Sequence, residues 1–202
     1  MIVWPVSHCK TPSRREEYVK EFSKYVQVDI YGKCGPLKCH DVNSRSKCFS
    51  NFTRDYKFYL SFENERCGDY ITEKFFLPLT HYIVPIVFGG SNYSDFAPPG
   101  SFIDVRDFKT PKHLAKYLKF LDKNRTAYEK YFEWRKSYVP TKTWAWCQLC
   151  EMLNNPSLPK KSYENVYDWF VEKSQCNADP PMKTRRPDIS FIWRKMSERK
   201  YY

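Results

Sequence analysis

Between residues 1 and 90, short apolar runs alternate with helical stretches, and that alternation leaves few folds open. Ile2, Val3, Trp4 and Val6 form the first run, although Pro5 is awkward inside a central strand. A helix is predicted from about Arg14 to Tyr25, with Tyr18, Val19, Phe22 and Val26 on one face. Val28, Ile30 and Tyr31 read as a strand closed by Gly32, and the polar, Cys-bearing stretch 33–55 reads as a loop. Phe58, Leu60 and Phe62 alternate as a further strand, and a helix is predicted over about Tyr70 to His81. The run Ile83 to Phe88 then ends at Gly89-Gly90, and 101–105 adds a short strand. This order predicts a parallel sheet covered by helices, an α/β fold. Ligands of such sheets sit beyond the carboxyl ends of the strands, which singles out loops 7–14 and 63–70.

From Thr110 to Leu153 the pattern is helical, with one stripe of Leu114, Tyr117, Leu118 and Leu121. A second stripe holds Tyr128, Tyr131, Phe132 and Trp134; at this spacing both read as packing rather than as a ligand platform. Beyond Pro156 the chain turns rich in Pro, Lys and Arg, as in Pro180-Pro181 and Arg185-Arg186-Pro187. Tyr163 to Val171 reads as a short helix and the last residues as a mobile basic tail. The expected organisation is one domain over 1–155 and a basic, Pro-containing, partly mobile extension over 156–202. A hydrophobic share of 42% suffices for a core and excludes a disordered chain.

The formal charge of +11 admits a solvated basic surface, an anionic ligand, nucleic acid or an acidic membrane. Position narrows these. Ser13-Arg14-Arg15-Glu16 has the form of a capping box, which puts two arginines in the first turn of a helix. Asp69 reads as the cap of the next helix, with Glu73 suited to the dipole and Lys74 opposed to it. Each misplaced cation costs about 0.3–1 kcal/mol at an exposed site. A bound phosphate reverses that cost, and both sites follow a predicted strand. Solvated residues bearing a small cost are the alternative reading. The basic residues are scattered rather than striped, which points to a diphosphate and away from nucleic acid. Neither Gly-x-Gly-x-x-Gly nor a P-loop occurs, against a nicotinamide dehydrogenase or P-loop ATPase.

Eight cysteines accompany three N-glycosylation sequons, at Asn51, Asn92 and Asn124; Asn155 is excluded by Pro156. Together they favour an oxidising secretory lumen. Met1 opens no signal peptide and no apolar run is long enough for a bilayer, so a missing N-terminal segment is expected. Cys147-x-x-Cys150 admits a redox pair, half a zinc site or a structural disulfide. No second close pair completes a zinc site, and His8, His40, His81 and His113 lack metal spacing.

The central block carries a resemblance. Lys57-Phe58-Tyr59-Leu60-Ser61-Phe62-Glu63-Asn64 and Asp69-Tyr70-Ile71-Thr72-Glu73-Lys74-Phe75 closely resemble the signature of the α1,3/4-fucosyltransferases, glycosyltransferase family 10. Val84 to Gly89, Asn92-Tyr93 and Pro98 to Ile103 continue it. Val6 to Cys9 with Ser13 to Glu16, Val28 to Gly32, Tyr131 to Arg135 and the Cys147/Cys150 pair also match, so the resemblance spans about 2–153. It implies a Rossmann-like parallel sheet, the C-terminal, donor-binding half of a GT-B glycosyltransferase. It further implies inverting transfer of L-fucose from GDP-β-L-fucose to a GlcNAc hydroxyl of a glycan, with no cofactor and no metal. Carried over by motif, Arg15 contacts the pyrophosphate, while Asn64, Tyr70, Glu73 and Lys74 line the donor site, Glu73 at the ribose and Lys74 at the diphosphate. The role of Arg14 is less defined, because the family often has a small residue there. No catalytic residue is expected within the chain; the general base belongs to the acceptor domain, and Glu63 and Glu65 are not assigned that role. The resemblance makes Cys147 and Cys150 disulfide candidates, and leaves Asn51 and Asn124 as the better glycosylation candidates. It places the full-length protein in the Golgi lumen as a single-pass type II membrane protein, reaching the membrane only through the missing N-terminal anchor. A truncated, non-catalytic GDP-sugar-binding protein is the alternative.

Overall fold

A computed structural model of the chain describes residues 1–39, 45–140 and 145–176. Five strands, β1 (Ile2–Pro5), β2 (Val28–Tyr31), β3 (Phe58–Phe62), β4 (Val84–Phe88) and β5 (Ile103–Asp104), form one sheet. All the pairings are parallel and the order is β2-β1-β3-β4-β5. The expected α/β fold with a parallel sheet is what forms. Every residue of β3 and β4 is buried, because a parallel sheet has helices on both faces and no wet side.

On one face α1 (Arg15–Phe22) and α4 (Pro111–Lys123) bring Tyr18, Val19, Phe22, Leu114, Leu118 and Leu121 onto Ile2, Trp4, Phe58, Leu60, Phe62 and Ile86. On the other face Phe49 and Phe52 of α2 (Arg45–Asp55) cover Val3, Tyr59 and Ile83. Beside them Phe75 and Leu79 of α3 (Glu73–Leu79) pack with Val87, Tyr93 and Trp134. The aromatic and leucine stripes are packing, as read from their spacing. After α4 follow α5 (Arg125–Glu129), a 3₁₀ stretch over Lys130–Lys136 and α6 (Ala145–Asn154). Leu118 is fully buried. Leu118→Ala should cost about 2–5 kcal/mol, read as a lower urea midpoint at unchanged slope; an unmoved midpoint would contradict this core.

Three expectations need correction. Part of the expected 33–55 loop is α2, and residues 40–44 lie outside the described residues. Phe49 and Phe52, three apart, bury one helical stripe in a stretch whose mean character is polar. The helix expected from Tyr70 starts only at Glu73, because Asp69 adopts a left-handed φ of 62° and Thr72 is the cap. The helix expected over Tyr163 to Val171 is a π-helical turn at Asp168–Glu172. The basic run beyond 176 lies outside the described residues.

Pro5 is resolved by register. The Val6 N–H donates to Tyr31 O at 2.8 Å, so by alternation the Pro5 nitrogen faces β3. β1 and β3 pair only at Ile2↔Phe58 and Val3↔Tyr59. Proline therefore costs no ladder bond and ends the β1–β3 seam early, opening the sheet between these two strands.

Candidate donor-binding site

A sheet ordered 2-1-3-4-5 reverses direction between β1 and β3, and the crevice at that reversal is where doubly wound folds take ligands. The two loops singled out in the sequence, 7–14 and 63–70, leave from these two strands and flank the crevice. Ser13 N donates to Asn64 O at 3.0 Å and Ser13 Oγ to Glu63 O at 2.8 Å. The loops are thus fastened to each other.

Arg15 lies at the start of α1 and is 3% exposed. Its Nη1 donates to Phe62 O at 2.5 Å and its Nη2 to His8 O at 3.1 Å. It also lies over the Trp4 ring at 5.8 Å, while Nε is buried without a partner. Burial draws its guanidinium below its ordinary pKa, opposed mainly by the charge of Glu63. The expected capping box does not form. Arg14 is the cap residue, left-handed at φ 56° with no side-chain cap bond, and Ser13 is buried on Glu63. Glu16 instead reaches back to Thr11, accepting from its N at 3.3 Å and its Oγ1 at 3.1 Å. Arg14 is exposed and donates to Glu17 through Nε at 2.8 Å.

Glu63 follows β3 directly and is fully buried. Its carboxylate accepts from Thr72 N at 2.9 Å and from Thr72 Oγ1 at 2.9 and 2.8 Å. Lys74 Nζ lies 3.1 Å from Glu63 Oε2 and donates to Thr72 Oγ1 at 2.8 Å. The Lys74 side chain stays 23% exposed, and Glu73, 74% exposed, stands 3.4 Å from its Nζ. Lys74 therefore has a local reason to begin a helix: Glu63 balances it. With seven residues, α3 is too short for its dipole to weigh much. Asn64 is half-buried with Oδ1 unpartnered, and half-buried Tyr70 meets Phe170 edge to face at 6.3 Å. Arg15, Asn64, Tyr70, Glu73 and Lys74 thus stand on the two crevice-flanking segments or the helix leaving one. Glu63, which the sequence left without a role, and Thr72 join this cluster by contact with Lys74; a carboxylate directly after an apolar run was the available signal.

The C-terminal segment joins this region. Cys67 is bonded to Cys176, and Gly68 N donates to Ser174 O at 2.8 Å. Beside it Pro12, Glu65, Phe170 and Val171 line a cleft of about 330 Å³. A larger cleft lined by Lys57, Tyr82 and Tyr128 lies by the start of β3, away from these groups. Two more disulfides, Cys9–Cys34 and Cys39–Cys48, complete the paired cysteines. Cys147 and Cys150, the disulfide candidates of unassigned connectivity, are unpaired and exposed on α6. Asn51 is exposed on α2, and Asn124 caps α5 through Oδ1 on Ala127 N at 2.9 Å. Among the described residues no cluster of three metal-ligating side chains occurs, and no helix is long and apolar enough to cross a membrane.

Comparison with known proteins agrees with this geometry. Residues 1–169 match the family model described as glycosyltransferase family 10 (fucosyltransferase) C-term. The glycoprotein 3-alpha-L-fucosyltransferase A of Drosophila melanogaster is 41% identical over 182 residues, 88% of this chain and 36% of that protein. An alpha-(1,3)-fucosyltransferase of Caenorhabditis elegans is 44% identical over 161 residues, 74% of this chain and 37% of its own. The chain thus spans little more than a third of these relatives. A crystal structure of an alpha1,3-fucosyltransferase with GDP aligns at TM-score 0.55 and 26% identity, covering 71% of this chain and 39% of that one. Another, with GDP-fucose, aligns at TM-score 0.57 and 22% identity over 80% of this chain and 49% of that one, a likeness of fold.

Proposed function

This chain belongs to glycosyltransferase family 10, the fucosyltransferases, and on that premise we propose that it is the donor-binding part of an α1,3-fucosyltransferase. The donor is GDP-fucose. The observation that carries this reading is that Arg15, after the β1 loop, and the partly exposed Lys74, on the helix after β3, both neighbour the buried Glu63 at the β1/β3 crevice. A relative of this fold is described with GDP bound, and two curated relatives are named as fucosyltransferases.

Transfer from GDP-β-L-fucose to a GlcNAc hydroxyl, with inversion, passes through an oxocarbenium-like state in which negative charge grows on the departing GDP. Cations fixed before the reaction stabilise that charge without reorganisation. Lys74 is the residue for this task, being held by Glu63 and Thr72 yet open to the crevice. Arg15 holds the crevice walls, with its Nε directed to no protein acceptor. Glu73, exposed beside Lys74, suits a ribose hydroxyl. With this cation set the reading needs neither metal nor cofactor. The general base and the acceptor contacts are assigned to no residue here. Three disulfides fit an oxidising lumen, in keeping with the Golgi.

Calorimetric titration with GDP tests the reading. The folded chain should bind GDP, and Lys74→Ala should weaken it about tenfold, roughly 1.4 kcal/mol for one charge-assisted contact. Absence of GDP binding by the folded chain would refute the donor assignment, and an unchanged affinity would remove Lys74 from the site.

A further inference from the structure

Glu63 is the one fully buried carboxylate among the described residues at the crevice, and the proposed reaction uses it only as the partner of Lys74. Burying an ionised group costs several kcal/mol unless it is paired and hydrogen-bonded. Here it is both. Its backbone N–H donates to Phe88 O at 2.9 Å at the end of β4, and its carbonyl accepts from Ser13 Oγ at 2.8 Å in the loop after β1. The residue is thus pinned at its backbone to both neighbours of β3. From that fixed point the carboxylate holds Thr72, the cap of α3, through main chain and hydroxyl, and reaches Lys74 Nζ at 3.1 Å. Thr72 Oγ1 closes the triangle by accepting from Lys74 Nζ at 2.8 Å.

A lysine ammonium on four flexible methylenes loses much rotamer freedom when a ligand immobilises it. Two oxygens that already hold it remove that loss from the binding step. We infer that Glu63 is a positioning residue for the donor diphosphate, acting through Lys74 by fixing its ammonium at the crevice before the ligand arrives. The inference rests on the donor reading above. It competes with a plain electrostatic effect, since a carboxylate this near also repels a diphosphate. The two effects have opposite signs when the charge is removed.

A double-mutant cycle on the full chain, read by GDP titration calorimetry, separates them. Glu63→Gln keeps the size and an acceptor for Thr72 but gives Lys74 an uncharged partner. It should weaken GDP binding about tenfold when Lys74 is present. In the Lys74→Ala background the same change should weaken it by no more than about twofold. Equal weakening in both backgrounds means a general structural role and overturns the inference. Unchanged or tighter binding with Lys74 present overturns it as well, tighter binding meaning that repulsion dominates. Should Glu63→Gln not fold, Glu63→Asp keeps the charge but withdraws it by one methylene. It should weaken GDP about threefold with Lys74 present and not without it, and equal effects again overturn the inference. If the unaltered chain takes no GDP, the donor reading falls and this inference with it; if it takes GDP and the cycle shows no coupling, only the inference falls.

Discussion

Arg15→Ala is expected to lower the unfolding free energy by about 2–4 kcal/mol and to remove GDP binding with it. The guanidinium spans the crevice floor, donating to Phe62 O at the end of β3 and to His8 O in the loop after β1. Truncation leaves the buried Phe62 carbonyl and the more exposed His8 carbonyl without their donor, and it strips the cover from Trp4. Arg15→Lys should recover less than half of the loss, because one ammonium cannot fork between two carbonyls as a planar guanidinium does. Urea unfolding followed by circular dichroism measures both variants. A midpoint within error of the unaltered chain would show that the fork carries no stability. The result also bears on function: lost GDP binding in Arg15→Ala reports the collapse of the crevice as much as a lost phosphate contact. Lys74→Ala, whose side chain is partly exposed, is the cleaner probe.

Cys176→Ser should make the segment from 156 to 176 sensitive to protease by about a hundredfold or more, while lowering global stability by less than about 2 kcal/mol. A crosslink spanning 109 residues can contribute about 4–5 kcal/mol in the chain-entropy description. That full value is reached only if the segment stays docked when the bond is absent. Here the side chains from 156 to 170 are exposed. The contacts described at its end are Gly68 N to Ser174 O and the Tyr70–Phe170 ring pair. The segment should therefore detach, so that the folded state regains most of the entropy. Limited proteolysis with mass analysis reads the first part, and urea unfolding the second. A segment still resistant in Cys176→Ser would mean that its packing, and not the bond, holds it against the crevice.

Much of this was legible in the chain. Strands with apolar alternation, the two crevice loops and the helical packing stripes follow from local patterns that read the same in any context. The polar stretch hiding Phe49 and Phe52 was not legible, because two buried rings do little to the mean character of eleven residues. Nor was disulfide pairing: Cys67 and Cys176 are brought together across 109 residues, while the adjacent Cys147 and Cys150 stay free. Connectivity is a property of the folded path and not of spacing.

At the site itself, the sequence by itself determined that basic residues begin two helices next to strand ends, and that the signature around Glu63 to Phe75 is that of the fucosyltransferases. Only the tertiary structure decided what those cations do. Arg15 turns inward onto two carbonyls, and Lys74 is answered by a buried carboxylate. The reason is that charge placement along a chain fixes only local dipole energies of a few tenths of a kcal/mol. Which charges share the crevice depends on how β1 and β3 lie side by side, and the burial of Glu63 makes its pairing weigh several times more than a pair in water.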